Sequence, residues 1–226
     1  MLGLVIKDFR LLLGRKMTII MFLVLAISLS MTMDMSFVVN YATLLMSILS
    51  IGTIAYDEQN NGMSYLMTLP IDSKKYVGSK FIMSFGVSGL VWVLAVSIYA
   101  IADLATGMNT IGFLRDFSFV KFGELAAPAL IIFVVTAISI PLELKFGAEK
   151  FRLVLAMIGG GTAALGYAIY HLISSGKFLS AKTVQEIAKK INDNPEIVCA
   201  VGVVFAIIII VISFICSIRV MNKKEY

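Results

Sequence analysis

Six apolar runs, each close to the length that crosses a bilayer, dominate this sequence of 226 residues. A spanning helix needs about 20 mostly apolar residues, and lipid offers a backbone no polar partner outside its own helix or a closed barrel. The sequence therefore predicts an all-α membrane protein with six transmembrane helices, forming one domain over residues 1–226. The predicted spans cover about residues 17–33, 36–56, 81–102, 125–142, 153–173 and 197–218.

The composition agrees with a membrane protein. Hydrophobic residues make up 59% of the chain and charged residues 15%, against about 45–50% and about 25% in soluble domains. The net charge of +5 does not indicate nucleic-acid binding, because the basic residues lie at the ends of apolar runs and do not form one basic face.

Two shorter helices are predicted outside the spans. In residues 1–16, Val5, Phe9 and Leu12 recur at helical spacing among basic residues, which favours a helix lying on the inner membrane surface. A simple positive flank to the first span is the alternative. Thr183 followed by Glu186 is a capping-box pattern, and it predicts a short extracellular helix before the last span.

The basic residues also predict an orientation. Cytoplasmic loops are enriched in Lys and Arg near the ends of spans. With the N-terminus inside, the inner segments hold 13 of the 19 basic residues. Both termini are therefore predicted to be cytoplasmic.

Motifs for catalysis are missing from the sequence. It contains no GxxxxGK[ST] phosphate loop and no HExxH motif. Asp34, Asp103 and Glu124 lie at the outer ends of predicted spans, whereas ion-coupled transporters carry ionisable residues inside them. No catalytic residue and no metal ligand is predicted, and energy for transport would come from a partner.

The polar segment at residues 57–80 is the most informative one. It contains an acidic pair, Gly62, a Leu-Pro turn and a basic residue before the third span. This pattern, with six spans, an amphipathic N-terminal helix and a helix before the last span, resembles the ABC-2 type permeases. The short chain is similar to the small bacterial members, a subgroup that includes exporters of phenol-soluble modulins.

The resemblance implies a permease subunit of an ATP-driven exporter in the bacterial plasma membrane. A separate P-loop ATPase subunit would bind ATP and magnesium and hydrolyse the nucleotide. A second permease subunit, either an identical or a related chain, would complete the membrane part among the lipids. The rival hypotheses are a scaffold or immunity-type membrane protein that sequesters a ligand without transport, and a membrane-bound enzyme.

The polar segment is suited to docking that ATPase. Asn60 or Asn61 can cap a short helix, Met63 and Leu66 give it an apolar face, and Pro70 ends it. A solvated turn is the alternative, and residues 143–152, predicted as a short charged inner loop, are a second docking candidate. The predicted docking residues are Asp57, Glu58, Asn61, Gly62, Tyr65, Leu66, Leu69, Pro70, Lys74, Lys75 and Lys80.

Two further patterns concern assembly and cargo. Small residues recur every four positions at Ala156, Gly160, Ala164 and Ala168, and such rows allow helices to approach closely. They predict contact with a second subunit or, alternatively, packing within this one. A second set, Met21, Met31 and Met33, lies in the first span, which lines the transport path in the resembled family. Flexible Met side chains suit an amphipathic peptide or lipid-like cargo, unless they simply face lipid.

Overall fold

The computed structural model describes residues 2–30, 33–59, 62–68, 71–106, 119–174 and 195–224. Every regular element within these ranges is a helix, which confirms the all-α part of the predicted fold class. The helices are α1 Leu2–Gly14, α2 Lys16–Ser30, α3 Met35–Glu58, α4 Gly62–Thr68, α5 Ser73–Thr106, α6 Phe119–Ser174 and α7 Pro195–Lys223. The predicted extracellular helix at Thr183 lies outside the described residues.

Four helices contain a segment that is long and apolar enough to cross a membrane. Within the described ranges these segments are Ser36–Glu58, Ser73–Ile98, Leu125–Gly147 and Cys199–Lys223. A fifth arises if α1 and α2 are taken together as one bent span. The protein is therefore a multi-pass membrane protein, and the count of six spans stays a prediction.

A sharp elbow joins α1 and α2, which meet at 67° on either side of Arg15. α2 has 15 residues, so it is about 22 Å long and shorter than the roughly 30 Å of a bilayer core. The described part of the helix ends at Ser30, and residues 31 and 32 of the predicted first span lie outside the described residues. α1 corresponds to the predicted interfacial helix, and its depth relative to a bilayer stays a prediction.

The predicted charged loop at residues 143–152 is shorter in the structure, where two helical stretches meet at a break at Gly147. This segment belongs to α6, which is interrupted only at Gly147, with φ 74° and ψ 166°. Glu143 and Leu144 are buried at 2% and 0% exposure. Charged residues suggested a solvated loop, but one glycine is enough to break the helix direction, and the glutamate lies inside the bundle.

The face of α3 that lies inside the bundle carries small polar residues, whereas the outside of the bundle is apolar. Along α3, Thr43, Ser47, Ser50 and Thr53 are all buried. The Thr43 hydroxyl donates to a carbonyl of its own helix at 2.8 Å, and Ser47 hydrogen-bonds to Thr136 of α6. Small polar residues at helix contacts, with apolar side chains facing outward, are typical of membrane helices that pack in lipid.

Two apolar clusters join the helices near one end of the bundle. The first contains buried side chains from five helices, α3 to α7: Ile54, Met63, Tyr76, Ile140 and Met221. The second joins α1, α3 and α5 through Leu12, Leu49, Met83 and Val87. The short helices α1 and α4 are therefore packed onto the long ones.

Candidate functional site

Four segments that the sequence places on the inner side meet at one end of the bundle. The side chains of Asp8 in α1 and Lys80 in α5 form an ion pair. Glu58 at the end of α3 pairs with Lys224 after α7, with 3.1 Å between Oε1 and Nζ, and its carboxylate lies next to Gly147. The prediction that these segments share one side of the membrane is thus consistent with their contacts.

A buried ion cluster forms the centre of this region, and it consists of Lys7, Asp8, Asp57 and Lys80. Lys80 Nζ lies 2.7 Å from Asp8 Oδ2 and 2.7 Å from Asp57 Oδ2. Lys7 Nζ contacts Asp57 Oδ1 and lies 3.5 Å from Asp8 Oδ1. The Tyr76 hydroxyl donates to Asp57 Oδ2 at 3.0 Å. The cluster therefore joins α1, α3 and α5.

The cluster balances two positive against two negative charges, and three of its four side chains are buried, whereas Lys7 is 33% exposed. Exposure is 1% for Lys80, 0% for Asp8 and 5% for Asp57. Ionised groups can be buried only when they are paired and hydrogen-bonded, and here each carboxylate contacts both ammonium groups. The cluster consequently fixes the N-terminal helix against the two spans on either side of α4.

This burial changes the interpretation of two predicted docking residues. Asp57 and Lys80 lie inside the bundle, so they position α3 and α5 and do not face a partner. Asp8 and Tyr76, which complete the cluster, are not among the predicted docking residues. A signal for Asp8 exists, because Leu4, Asp8 and Leu12 occur every fourth residue and are all buried. An acidic residue on the apolar face of a basic helix indicates a buried partner.

The predicted short helix after α3 is present as α4. Met63 is 3% exposed and belongs to the first apolar cluster, against which Leu66 also packs. The apolar face of α4 is thus used within the chain and does not present itself to a partner. The outward face carries Ser64, Thr68 and Tyr65, and Tyr65 is 70% exposed.

Gly62 allows α4 to start directly against α3. A Cβ atom at Gly62 would lie 2.9 Å from the Asp57 carbonyl oxygen, too close for any other residue without movement of the backbone. Glycine is therefore required here for close approach, not for a positive φ. Through Asp57, the position of α4 is linked directly to the ion cluster.

The remaining predicted docking residues flank α4. Lys74 and Lys75 are exposed at the start of α5, where the Asp72 carbonyl oxygen accepts bonds from the Lys75 and Tyr76 amides at 2.9 and 3.0 Å. Glu58 is partly exposed. Outside the described residues lie Asn61, Leu69 and Pro70. The docking role of these residues stays a prediction.

The predicted packing and conduit residues are only partly described. Ala156 is exposed, as a subunit contact would require, and the side chains of Gly160, Ala164 and Ala168 lie outside the described part of the chain. Met21 and Met33 are 54% and 52% exposed, and Met31 is outside the described residues. An exposed position suits a conduit shared with a second subunit as well as a lipid-facing surface, so both roles stay predictions.

Comparison with known proteins assigns a family. The family described as ABC-2 family transporter protein matches residues 3–222, a range that includes the ion cluster and α4. No curated protein and no solved structure matches the chain. Because the family match spans nearly the whole sequence, the protein belongs to the ABC-2 transporter family.

Proposed function

We propose that this chain is the membrane-spanning permease subunit of an ATP-driven exporter, and that a separate P-loop ATPase subunit hydrolyses the ATP. The proposal rests on the family, whose members are typically membrane components without catalysis of their own. In this arrangement the chain needs no cofactor, and ATP and magnesium bind to the partner. A second permease subunit completes the conduit.

The observation that carries this proposal is the position of α4. This helix lies between two candidate spans in the sequence. Its residues Met63 and Leu66 pack against the first apolar cluster, and Tyr65 is exposed. A short helix packed in this way can transmit a movement of the ATPase to the membrane spans. Movement of an ATPase surface against Tyr65 would pass through Gly62 to Asp57 and then, through Lys80, to both adjoining spans.

Membrane orientation and cargo belong to the same proposal. Six spans are proposed from the apolar runs, cytoplasmic termini from the basic-residue pattern, and a bacterial plasma membrane from the family resemblance. The described span interiors offer hydroxyl groups and aliphatic surface, which suits an amphipathic peptide or lipid-like cargo, such as those of the phenol-soluble modulin exporters.

Loss of Tyr65 is expected to weaken ATPase docking without unfolding the permease. Because the side chain is 70% exposed, Tyr65→Ala removes little packing, and surface substitutions of this kind usually change stability by about 0.5 kcal/mol or less. Interface tyrosines that act as hot spots cost at least about 2 kcal/mol when truncated. Tagged permease should therefore retain roughly 30-fold less of a P-loop ATPase during purification, with identity checked by mass spectrometry.

A matched control exists for this experiment. Tyr167 of α6 is also 70% exposed but lies far from α4 in the sequence, so Tyr167→Ala should leave ATPase retention unchanged. If both variants retain the ATPase like the parent protein, α4 is not the docking element. If the parent itself binds no ATPase in the native membrane, the scaffold hypothesis replaces the transporter.

The orientation can be tested by cysteine labelling. With Cys199 and Cys216 replaced by alanine, a single cysteine is placed at Ser73 or at Ser180. An impermeant maleimide added to intact cells should label the Ser180 position and leave the Ser73 position unlabelled until the cells are opened. Labelling at Ser73 from outside would reverse the proposed topology.

A further inference from the structure

Two cavities adjoin at the elbow between α1 and α2. The first, the basic cavity, has a volume of about 610 Å³ and is lined by Lys7, Arg10, Arg15 and Tyr56 together with small and apolar residues. The second, the apolar slot, has a volume of about 520 Å³ and lies between α3 and α6. Arg15 lines both, so a single elongated molecule can reach from one into the other.

The basic cavity carries a surplus of positive charge. Lys7 is already paired with Asp8 and Asp57 in the neutral ion cluster. Among the described residues, no carboxylate lies within ion-pair distance of Arg10 or Arg15. Arg15 instead holds its guanidinium 4.1 Å from the centre of the Tyr56 ring. Stacking of this kind orients the guanidinium and leaves its N–H groups for an anion.

The apolar slot is open on the side where the protein surface is apolar. Its rim includes Ile48 at 54% exposure and Ile131 at 65%, side chains that face lipid in a membrane protein. Gly52 forms part of the wall, and a Cβ atom placed there would have no neighbour within 4 Å. An acyl chain can therefore enter sideways from the bilayer and lie along α3.

The charges that line the two cavities determine the orientation of a bound amphiphile. Apart from Arg15, the described residues that line the slot include no cation, and most of them are aliphatic, so the slot offers little to an anionic group. The basic cavity, by contrast, is lined by both Arg10 and Arg15 and therefore favours an anionic group. An anionic amphiphile is thus ordered with its headgroup in the basic cavity and its chain in the slot.

We propose that this composite site binds one anionic phospholipid, with its phosphate between Arg10 and Arg15 and one acyl chain in the apolar slot. Arginine matches phosphate geometry with paired N–H donors, and basic pockets between membrane helices suit lipid headgroups. The lipid bridges α1, α3 and α6 and, through Arg15, stabilises the elbow. It is a resident of the site, and its binding depends on neither the ATPase nor the cargo.

The headgroup half of the proposal is tested on delipidated protein in detergent. Dioleoyl phosphatidylglycerol should bind and raise the unfolding temperature, whereas dioleoyl phosphatidylcholine should do so much less. Each basic residue near a membrane surface contributes about 1 kcal/mol to anionic-lipid attraction. Arg10→Gln and Arg15→Gln should therefore each weaken phosphatidylglycerol binding about fivefold, as counted by native mass spectrometry. Arg219→Gln, an exposed arginine on α7, should change nothing.

The acyl half is tested by filling the slot. Gly52→Phe should reduce phosphatidylglycerol binding while the variant still elutes as folded protein. The smaller substitution Gly52→Ala leaves most of the slot open, so this variant should bind phosphatidylglycerol like the parent protein. Free glycerol phosphate should not compete with the lipid, since it lacks the chain.

Four results would overturn the proposal. The first three are equal binding of the two lipids, an Arg10→Gln and Arg15→Gln double variant that binds phosphatidylglycerol like the Arg219→Gln control, and full competition by glycerol phosphate. The last of these would reveal a site for small anions. In the fourth result, an acidic peptide displaces phosphatidylglycerol from the parent protein and binds equally well to Gly52→Phe. The ligand of the site would then be a polypeptide and not a lipid.

Discussion

Replacement of Lys80 by methionine is expected to lower the free energy of unfolding by about 3–5 kcal/mol, the typical cost of breaking a buried ion pair. The ammonium group contacts both Asp8 and Asp57 at 2.7 Å and is 1% exposed. Methionine preserves the apolar length of the side chain, so the loss measures the charge. Two carboxylates would be left in the bundle with only the Lys7 ammonium group to balance their charge.

The control for this experiment lies on the same helix. Lys74 is exposed at the start of α5, and Lys74→Met should leave unfolding by denaturant or heat in detergent almost unchanged. A Lys80→Met variant as stable as Lys74→Met would show that the cluster contributes nothing to the fold.

A combined variant separates charge from packing. Adding Asp8→Asn and Asp57→Asn to Lys80→Met removes the uncompensated carboxylates, and replacing buried ion pairs by neutral residues is often close to neutral in stability. Lys7 keeps its charge in this variant, but its side chain is 33% exposed and can be solvated. The triple variant should therefore recover part of the lost stability. A loss that is the sum of the three single losses would instead indicate that the side chains act independently.

Substitution of Gly147 by alanine is expected to lower the free energy of unfolding by about 1–3 kcal/mol, because residues other than glycine rarely adopt a backbone of this kind. Its φ of 74° and ψ of 166° interrupt α6. The added Cβ atom would also lie 3.1 Å from Glu58 Oε2, a carboxylate that pairs with Lys224. The break and the C-terminal tail should be disturbed together.

Two further variants separate the backbone strain at Gly147 from the close contact with Glu58. Gly86 lies inside α5, and a Cβ atom there would have no neighbour within 4 Å, so Gly86→Ala should not destabilise the protein. Adding Glu58→Ala to Gly147→Ala removes the close contact but not the backbone strain. If the variant with alanine only at Gly147 unfolds like the parent protein in chemical denaturation, the positive φ has no energetic role.

Features that depend on interactions between residues close in the sequence were predictable, and features that depend on distant residues were not. Helices, their apolar character and the short helix after α3 were predictable, since they depend on neighbours a few residues apart. The burial of Lys80 was not, because its partner Asp8 is 72 positions away. In the sequence Lys80 resembles any basic residue at the end of a span. Glu143 was misassigned to a loop for the same reason.

The sequence by itself determined that this chain is a helical membrane protein and that residues 57–80 form its most informative connection, because hydrophobic length and local patterning are properties of consecutive residues. Only the tertiary structure decided which charges are structural and which are exposed. Asp57 and Lys80 became interior ion partners, α4 turned Met63 inward and Tyr65 outward, and Gly147 became the break in α6. Each of these depends on which helices meet, and that is set by packing between distant segments.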